Sequence, residues 1–158
     1  MNADLDDVQS CEWLYLHEIG EPRDNELRLV LHEAKTGATE DRPVSLDGEL
    51  PEIRKLLAET KPIVHGPGCR VFELRWSSYI AYSVLNESFA SVEPAESVGV
   101  GRLVVEYSKS VFLAYLARST FASSEYPGPF LHWDVRCLNH IIQVASTQRP
   151  SVKVLDGA

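Results

Sequence analysis

The sequence predicts a single α+β domain over residues 1–158, a mainly antiparallel sheet with long bent strands and two short helices packed on one face. Three observations lead there. Apolar and polar residues alternate with period two through most of the chain, as half-buried strands require. Only two segments carry helical spacing. The strands also follow one another in runs, which disfavours alternating βαβ units and the parallel sheets they build. A chain of 158 residues, 44% hydrophobic and 24% charged, is long enough for one core and too apolar to remain disordered.

Taken in order, Trp13 to Ile19 and Glu26 to Ala34 read as two strands around the turn-rich segment Gly20 to Asn25. A register with Leu14 opposite Leu31 and Leu16 opposite Leu29 gathers the leucines on one face. The other face then carries Trp13, Tyr15 and His17 opposite His32, Val30 and Arg28. Pro51 to Thr60 reads as a short helix, with Pro51 in its first turn, Ile53, Leu56 and Leu57 on one stripe, and Lys61-Pro62 as its stop. From Phe72 to Val84 the even positions stay largely apolar, which favours one long bent strand over a hairpin at Ser77-Ser78. After a loop from Ser91 to Gly101, Arg102 to Tyr107 is a strand. Ser108 is then placed to cap a helix running to Ser119, with Phe112, Leu113, Leu116 and Ala117 as its buried stripe. Tyr126-Pro127-Gly128-Pro129 breaks the chain. Leu131, Trp133, Val135 and Cys137 alternate with His132, Asp134 and Arg136 in a strand whose polar face could bind an anionic or hydrogen-bonding ligand but reads as solvated, and Ile141 to Ala145 is the last strand.

Charge is unevenly spread. Residues 1–60 hold 15 acidic and 6 basic side chains, a net of −9, whereas residues 61–158 hold 8 and 9, a net of +1. Scarce, unclustered Lys and Arg disfavour nucleic-acid binding, since phosphate recognition draws on concentrated positive charge. No apolar run is long enough to cross a membrane as a helix, and the acidic N-terminus is unlike a basic presequence, so the expected location is cytoplasmic.

Several chemistries lack their residues. Gly99-Val100-Gly101 opens like a dinucleotide fingerprint, but Val104 stands where the third glycine belongs and a strand follows. His17-Glu18 and His32-Glu33 each begin like a zinc-protease motif without its second histidine, and the hairpin register keeps the two imidazoles apart. No metal site is therefore expected. Cys11, Cys69 and Cys137 form no Cys-x-x-Cys pair. Cys137 with His140 could make a nucleophile and base, but Cys137 continues the apolar row of Trp133 and Val135 and reads as a core cysteine. No catalytic residue and no cofactor are assigned.

Three stretches, Tyr82 to Ser88, Tyr107 to Ser110 with Thr120 to Ala122, and Pro127 to His140, resemble segments of small bacterial cytosolic proteins that carry no assigned activity. The resemblance covers the C-terminal half and implies a bacterial cytosolic protein, without catalytic residues to transfer.

Two functions compete on these grounds. The first is a non-enzymatic protein-binding domain, an immunity-like inhibitor that offers an acidic N-terminal surface to a basic protein. Its candidate contacts are Asp24, Glu26, Glu40, Asp41, Asp47 and Glu49. The second is a small-ligand-binding protein or enzyme with a polar pocket near Glu87 and His140. Asn86 and Asn139 would complete that cluster, and Tyr82 and Tyr107 would line it. A homo-oligomer joined through Trp13 and Tyr15 is the third expectation.

Overall fold

Two antiparallel sheets, rather than one, carry the strands of the computed structural model, which describes residues 2–37, 51–53, 55 and 60–155. The first sheet contains β1 (Asn2–Ala3), β2 (Trp13–Gly20), β3 (Leu27–Thr36), β4 (Ile63–Val64), β5 (Val71–Trp76) and β11 (Ser151–Leu155). Its order is β1-β11-β5-β3-β2, with β4 paired to the end of β3. The second sheet contains β6 (Ala81–Asn86), β7 (Val98–Val100), β8 (Val104–Lys109), β9 (Leu131–Arg136) and β10 (His140–Ser146), in the order β6-β10-β9-β8-β7. The described residues also form the short helix α1 (Leu5–Gln9), the helix α2 (Val111–Ser119) and a 3₁₀ turn at Glu87–Phe89. The mainly antiparallel α+β class holds.

One apolar face of each sheet meets the other in a shared core. Leu14, Leu29, Leu31, Phe72, Leu74 and Trp76 come from the first sheet, and Val104, Trp133, Val135, Ile142 and Val144 from the second. Trp76 meets Trp133 edge-on, ring centroids 6.3 Å apart, a favourable geometry for aromatic rings. Burial of these side chains is the main source of stability, at roughly 1.5–3 kcal/mol for each large apolar group.

The first hairpin keeps its leucine face but not the expected register. Leu16 lies opposite Leu31 and Leu14 opposite Glu33, and the pairing shifts between Leu16 and Glu18. The extra residue, His17, has a physical purpose: strict alternation would turn Glu18 inward, whereas the bulge places Ile19 opposite Leu29 against the core. Asn25 takes the left-handed conformation (φ 62°) that closes the turn.

Phe72 to Val84 is not one strand. The chain leaves the first sheet at Trp76 and enters the second at Ala81, so β5 pairs with β3 and β11 while β6 pairs with β10. Period-two alternation survives across the crossing because both segments turn alternate residues toward the same core. The helix cap also shifts: Ser110, not Ser108, is the N-cap of α2 and accepts from Leu113 N. Ser108 is still in β8. On α2 only Phe112 and Leu116 are buried, and Ala117 is exposed. Pro51 to Ile53 and Lys55 are helical as expected, and Leu56 and Leu57 lie outside the described residues.

Single polar side chains tie the sheets together at their margins. Asn139, in the turn between β9 and β10, accepts from Leu16 N and donates to Leu16 O (3.0 and 2.9 Å), so its amide pairs with backbone beside the bulge. Gln9 Oε1 accepts from Leu103 N at 2.8 Å, and Arg102 donates to the carbonyls of Gln9, Cys11 and Glu12. The last carbonyls around α1 thereby gain partners that the helix cannot supply. Gly101, at φ 121°, is needed here because a Cβ would strike Val104 O.

Acidic side chains of the N-terminal part are drawn into the fold. Glu33 is buried beside the core and bonded by Arg70 through Nε at 2.9 Å and through the backbone N–H at 2.8 Å. Glu26 pairs with Arg75, and Glu73 with Arg28 and Arg75. Burial alone would raise the Glu33 carboxyl, but the Arg70 bonds prevail and hold it at about 2, against an ordinary 4.5. A carboxyl depressed in the folded state stabilises above its unfolded value and loses that contribution as pH falls toward the folded value. Stability should therefore decline between pH 4.5 and 2 partly through this group. In urea titrations Glu33→Gln should flatten that decline and cost about 1–3 kcal/mol at pH 7; an unchanged pH profile would mean that the Arg70 pairing contributes nothing.

Candidate functional site

The outer face of the second sheet holds the candidate site. Because β9 lies at the centre of that sheet, residues of opposite parity to Trp133 and Val135 point away from the shared core. They are His132, Asp134 and Arg136. Across the sheet these continue in rows. One runs Ala145, His132, Tyr107, Gly99; the next runs Ser83, Gln143, Asp134, Val105; the last runs Leu85, Ile141, Arg136.

Helix α2 covers the first row. Phe112 and Leu116 pack with Ala145 in a second small apolar cluster, to which Ile80, Ala81 and Phe130 add partly buried surface. His132 is fully buried between the Tyr107 ring, stacked at 5.1 Å, and Phe112. Its Nδ1 is 2.9 Å from Ser110 Oγ, and its Nε2 has no partner among the described residues. Burial lowers its pKa to about 4, so the ring is neutral at pH 7. A Cβ on Gly99 would collide with the Tyr107 ring, so glycine is what lets this aromatic lie flat on β7. Of the face of β9 expected to be solvated, His132 and Asp134 are buried and Arg136 alone is exposed.

The other two rows stay uncovered and floor a cleft of about 1010 Å³. Val111, Phe112 and Tyr115 of α2 form one wall, and the segment from Phe89 to Ser97 forms the opposite one. Glu93 pins that segment by accepting from Ser97 Oγ and Val111 N. Phe89 and Val92 stand 86% and 96% exposed at the rim, so the cleft is edged by apolar surface without a partner among the described residues.

Charge on the floor is confined to one pair. Asp134 is only 5% exposed; its Oδ2 accepts from Arg136 Nε at 3.1 Å, and its buried Oδ1 has no partner among the described residues. Burial raises the Asp134 carboxyl, Arg136 offsets part of that rise, and Glu93 adds to it. Arg136 Nη2 donates to the Tyr107 hydroxyl at 3.0 Å, so the guanidinium is held from two sides. Burial likewise raises the Tyr107 phenol. Gln143 completes the floor and accepts from Ser83 Oγ.

Of the six pocket residues expected from sequence, only Tyr107 lines this cleft. Asn86 and His140 do adjoin, as a cross-strand pair, and Glu87 N approaches Asn139 O at 3.5 Å. They form no buried cluster: Asn86 and Glu87 are exposed, and Asn139 is committed to Leu16. Tyr82 pairs with Val144 on the inner side of the sheet and packs against the core, the face opposite Tyr107. Among the acidic candidates, Asp24 is exposed, Glu26 is buried against Arg75, and Glu40, Asp41, Asp47 and Glu49 lie outside the described residues. Trp13 and Tyr15 are half-buried. Asp134 and Arg136 were visible as a polar alternation, but the helix and loop that enclose them left no signal in strand periodicity.

The two imidazoles expected to stay apart do meet. The bulge sets the His17 ring on His32 at 4.1 Å, and β4 brings His65 to the other side at 4.3 Å. His65 Nδ1 lies 2.7 Å from Glu33 O. Burial, then the neighbouring rings, lower the His32 pKa. No three histidine, cysteine or acidic side chains among the described residues are placed to hold a metal ion, and no described helix is long and apolar enough to cross a membrane.

Cys137 joins the core cluster, and burial pushes its thiol up to about 12; burial and Glu33 likewise raise Cys11 to about 11. Cys137 N donates to His140 O across the turn, which makes the pair a hairpin closure rather than a nucleophile and base. Cys69 is partly exposed. Under native conditions iodoacetamide should therefore label Cys69 first, with Cys11 and Cys137 protected until the chain unfolds. Rapid native labelling of Cys137, read by peptide mass, would contradict its place in the core.

No protein family, curated protein or solved structure matches this chain.

Proposed function

We propose that this protein binds a small organic ligand in the cleft on the outer face of its second sheet. The observation that carries the reading is Asp134, a buried carboxylate on the cleft floor whose Oδ1 lacks a partner among the described residues. An unsatisfied buried acceptor costs about 1–3 kcal/mol, and native proteins keep few of them. A sheet face needed only for packing would be filled with apolar side chains, as the opposite face of the same strand is. Here the floor instead mixes Asp134, Arg136 and Gln143 with Val105, Leu85 and Ile141. A largely apolar cavity with a few fixed polar groups is the usual form of a small-molecule site.

An acidic surface for a basic protein remains the second reading, supported by the net charge of −9 in residues 1–60. Its described contacts reduce to Asp24, since Glu26 already engages Arg75. Salt dependence separates the two, because screening weakens a charge-steered protein complex far more than a ligand held in a largely apolar cleft.

Nitrogen-15 NMR with mixtures of small organic fragments tests the ligand reading. Shifts should concentrate on the amides of Val105, Tyr107, Asp134, Arg136, Ile141 and Gln143. Binding confined to another surface, or absent across a broad library, would overturn it.

A further inference from the structure

The margins of the two sheets are unequally protected. A strand edge carries a row of N–H and C=O groups that invites another strand, and folded proteins blunt such edges by shortness, bulges, charge, proline or a covering segment. On the first sheet β1 and β4 are two residues long, and the β9–β10 turn occupies the outer edge of β2: Leu138 N donates to Leu14 O, and the Asn139 amide pairs with Leu16. The bulge at His17 bends what remains of that edge. On the second sheet β7 is three residues long, and its pairing with β8 is irregular between Val98 and Gly99.

Strand β6 has none of these devices. It runs six residues, Ala81 to Asn86, in unbroken register with β10, and contains no charged residue, proline or glycine. Glu87 N donates to Asn139 O in continuation of that register, so Ala81, Ser83 and Leu85 direct their backbone groups to β10. The backbone groups of Tyr82 and Val84 therefore point outward, where no strand meets them among the described residues. The side chains beside that edge are uncovered too. Val84, opposite Ile142 on the core side, is 41% exposed, and Leu85, on the cleft floor, is 42% exposed.

We infer that β6 pairs antiparallel with β6 of a second copy of this chain, about a two-fold axis at Val84, joining the two five-stranded sheets into one. In that register Val84 exchanges both backbone hydrogen bonds with its counterpart, and Tyr82 lies opposite Asn86. Leu85 meets Ser83 of the second copy on the cleft side, so the floor row of Val105, Asp134, Gln143 and Ser83 continues into the neighbouring molecule. Charge selects this occupant. The chain carries −8 overall, so two copies that meet through acidic surface repel, whereas β6 brings no charge to the axis. Glu87, which follows the strand, falls at the two ends of the joint, roughly 20 Å from its counterpart at about 3.4 Å per residue, well beyond a screening length of about 8 Å. A basic partner gains no attraction from so neutral an edge.

Sedimentation equilibrium of the full chain from about 10 µM to about 1 mM tests this, since an interface confined to one strand edge is small and dissociates in that range. The mean mass should rise toward twice that of the chain. Val84→Pro removes an outward N–H and no bond to β10, and Val84→Lys sets two ammonium groups together at the axis. Both variants should stay monomeric throughout while keeping the dispersed nitrogen-15 spectrum of the parent. Hydrogen exchange of the parent, read by mass spectrometry, should slow about fivefold in residues 82–86 between the two concentrations and stay constant around Trp13 and Tyr15. If a variant fails to fold, the exchange pattern of the parent decides alone. A parent that remains monomeric at the highest concentration would overturn the inference, as would a dimer that persists in both folded variants or protection that develops at β2 or β7 instead of β6.

Discussion

Strand β9 is buried on both faces, and that double burial dictates the rest of the molecule. On one side Trp133 and Val135 complete the core between the sheets; on the other His132 and Asp134 are nearly as inaccessible. A central strand can be covered twice only if something packs outside its sheet, and α2 does so through Phe112 and Leu116. The helix is short, so it covers one row of the outer face and leaves the next two as the floor of a cleft. The polar character of that floor follows from residues that the strand must bury wherever the helix ends.

Rigidity of the floor comes from the margins of the sandwich. Asn139 fixes the β9–β10 turn to β2, while Gln9 and Arg102 fix the start of β8 to α1. Strands β8, β9 and β10 are thus anchored at the end of the sheet nearest Arg136, whose own N–H donates to Leu103 O. Asp134 and the Tyr107 hydroxyl then hold the guanidinium in one orientation. A site assembled this way spends little conformational entropy when a ligand arrives, which is the physical advantage of building it on strands.

Much of this architecture is legible in the sequence, and the gaps have identifiable causes. Strong alternation in Leu131–Cys137 and in the first hairpin marks strands and their apolar faces, because one-sided burial leaves a period of two. The same alternation conceals the crossing between sheets after Trp76, since both sheets face a common core. It also conceals the bulge at His17, where a single added residue shifts the register and stacks His17 on His32. The mixed polar row of β9 suggested solvent because periodicity reports which residues share a face, not what covers that face. Tyr107 was singled out and does line the cleft. Asn86, Glu87, Asn139 and His140 lie at the adjoining ends of paired strands, where Asn86 faces His140 across the ladder and Asn139 joins the sheets through Leu16.

The account rests most directly on Asp134 being desolvated at the cleft floor with an unfilled acceptor. Carbon-13 NMR titration of its side-chain carboxyl reads this without any ligand. Burial places the midpoint above the ordinary 3.8 for aspartate, because Arg136 offsets only part of the cost of charging a buried group. A midpoint at or below 3.8 would mean a carboxylate fully satisfied by its surroundings, with no capacity left for a ligand, and would contradict the central claim.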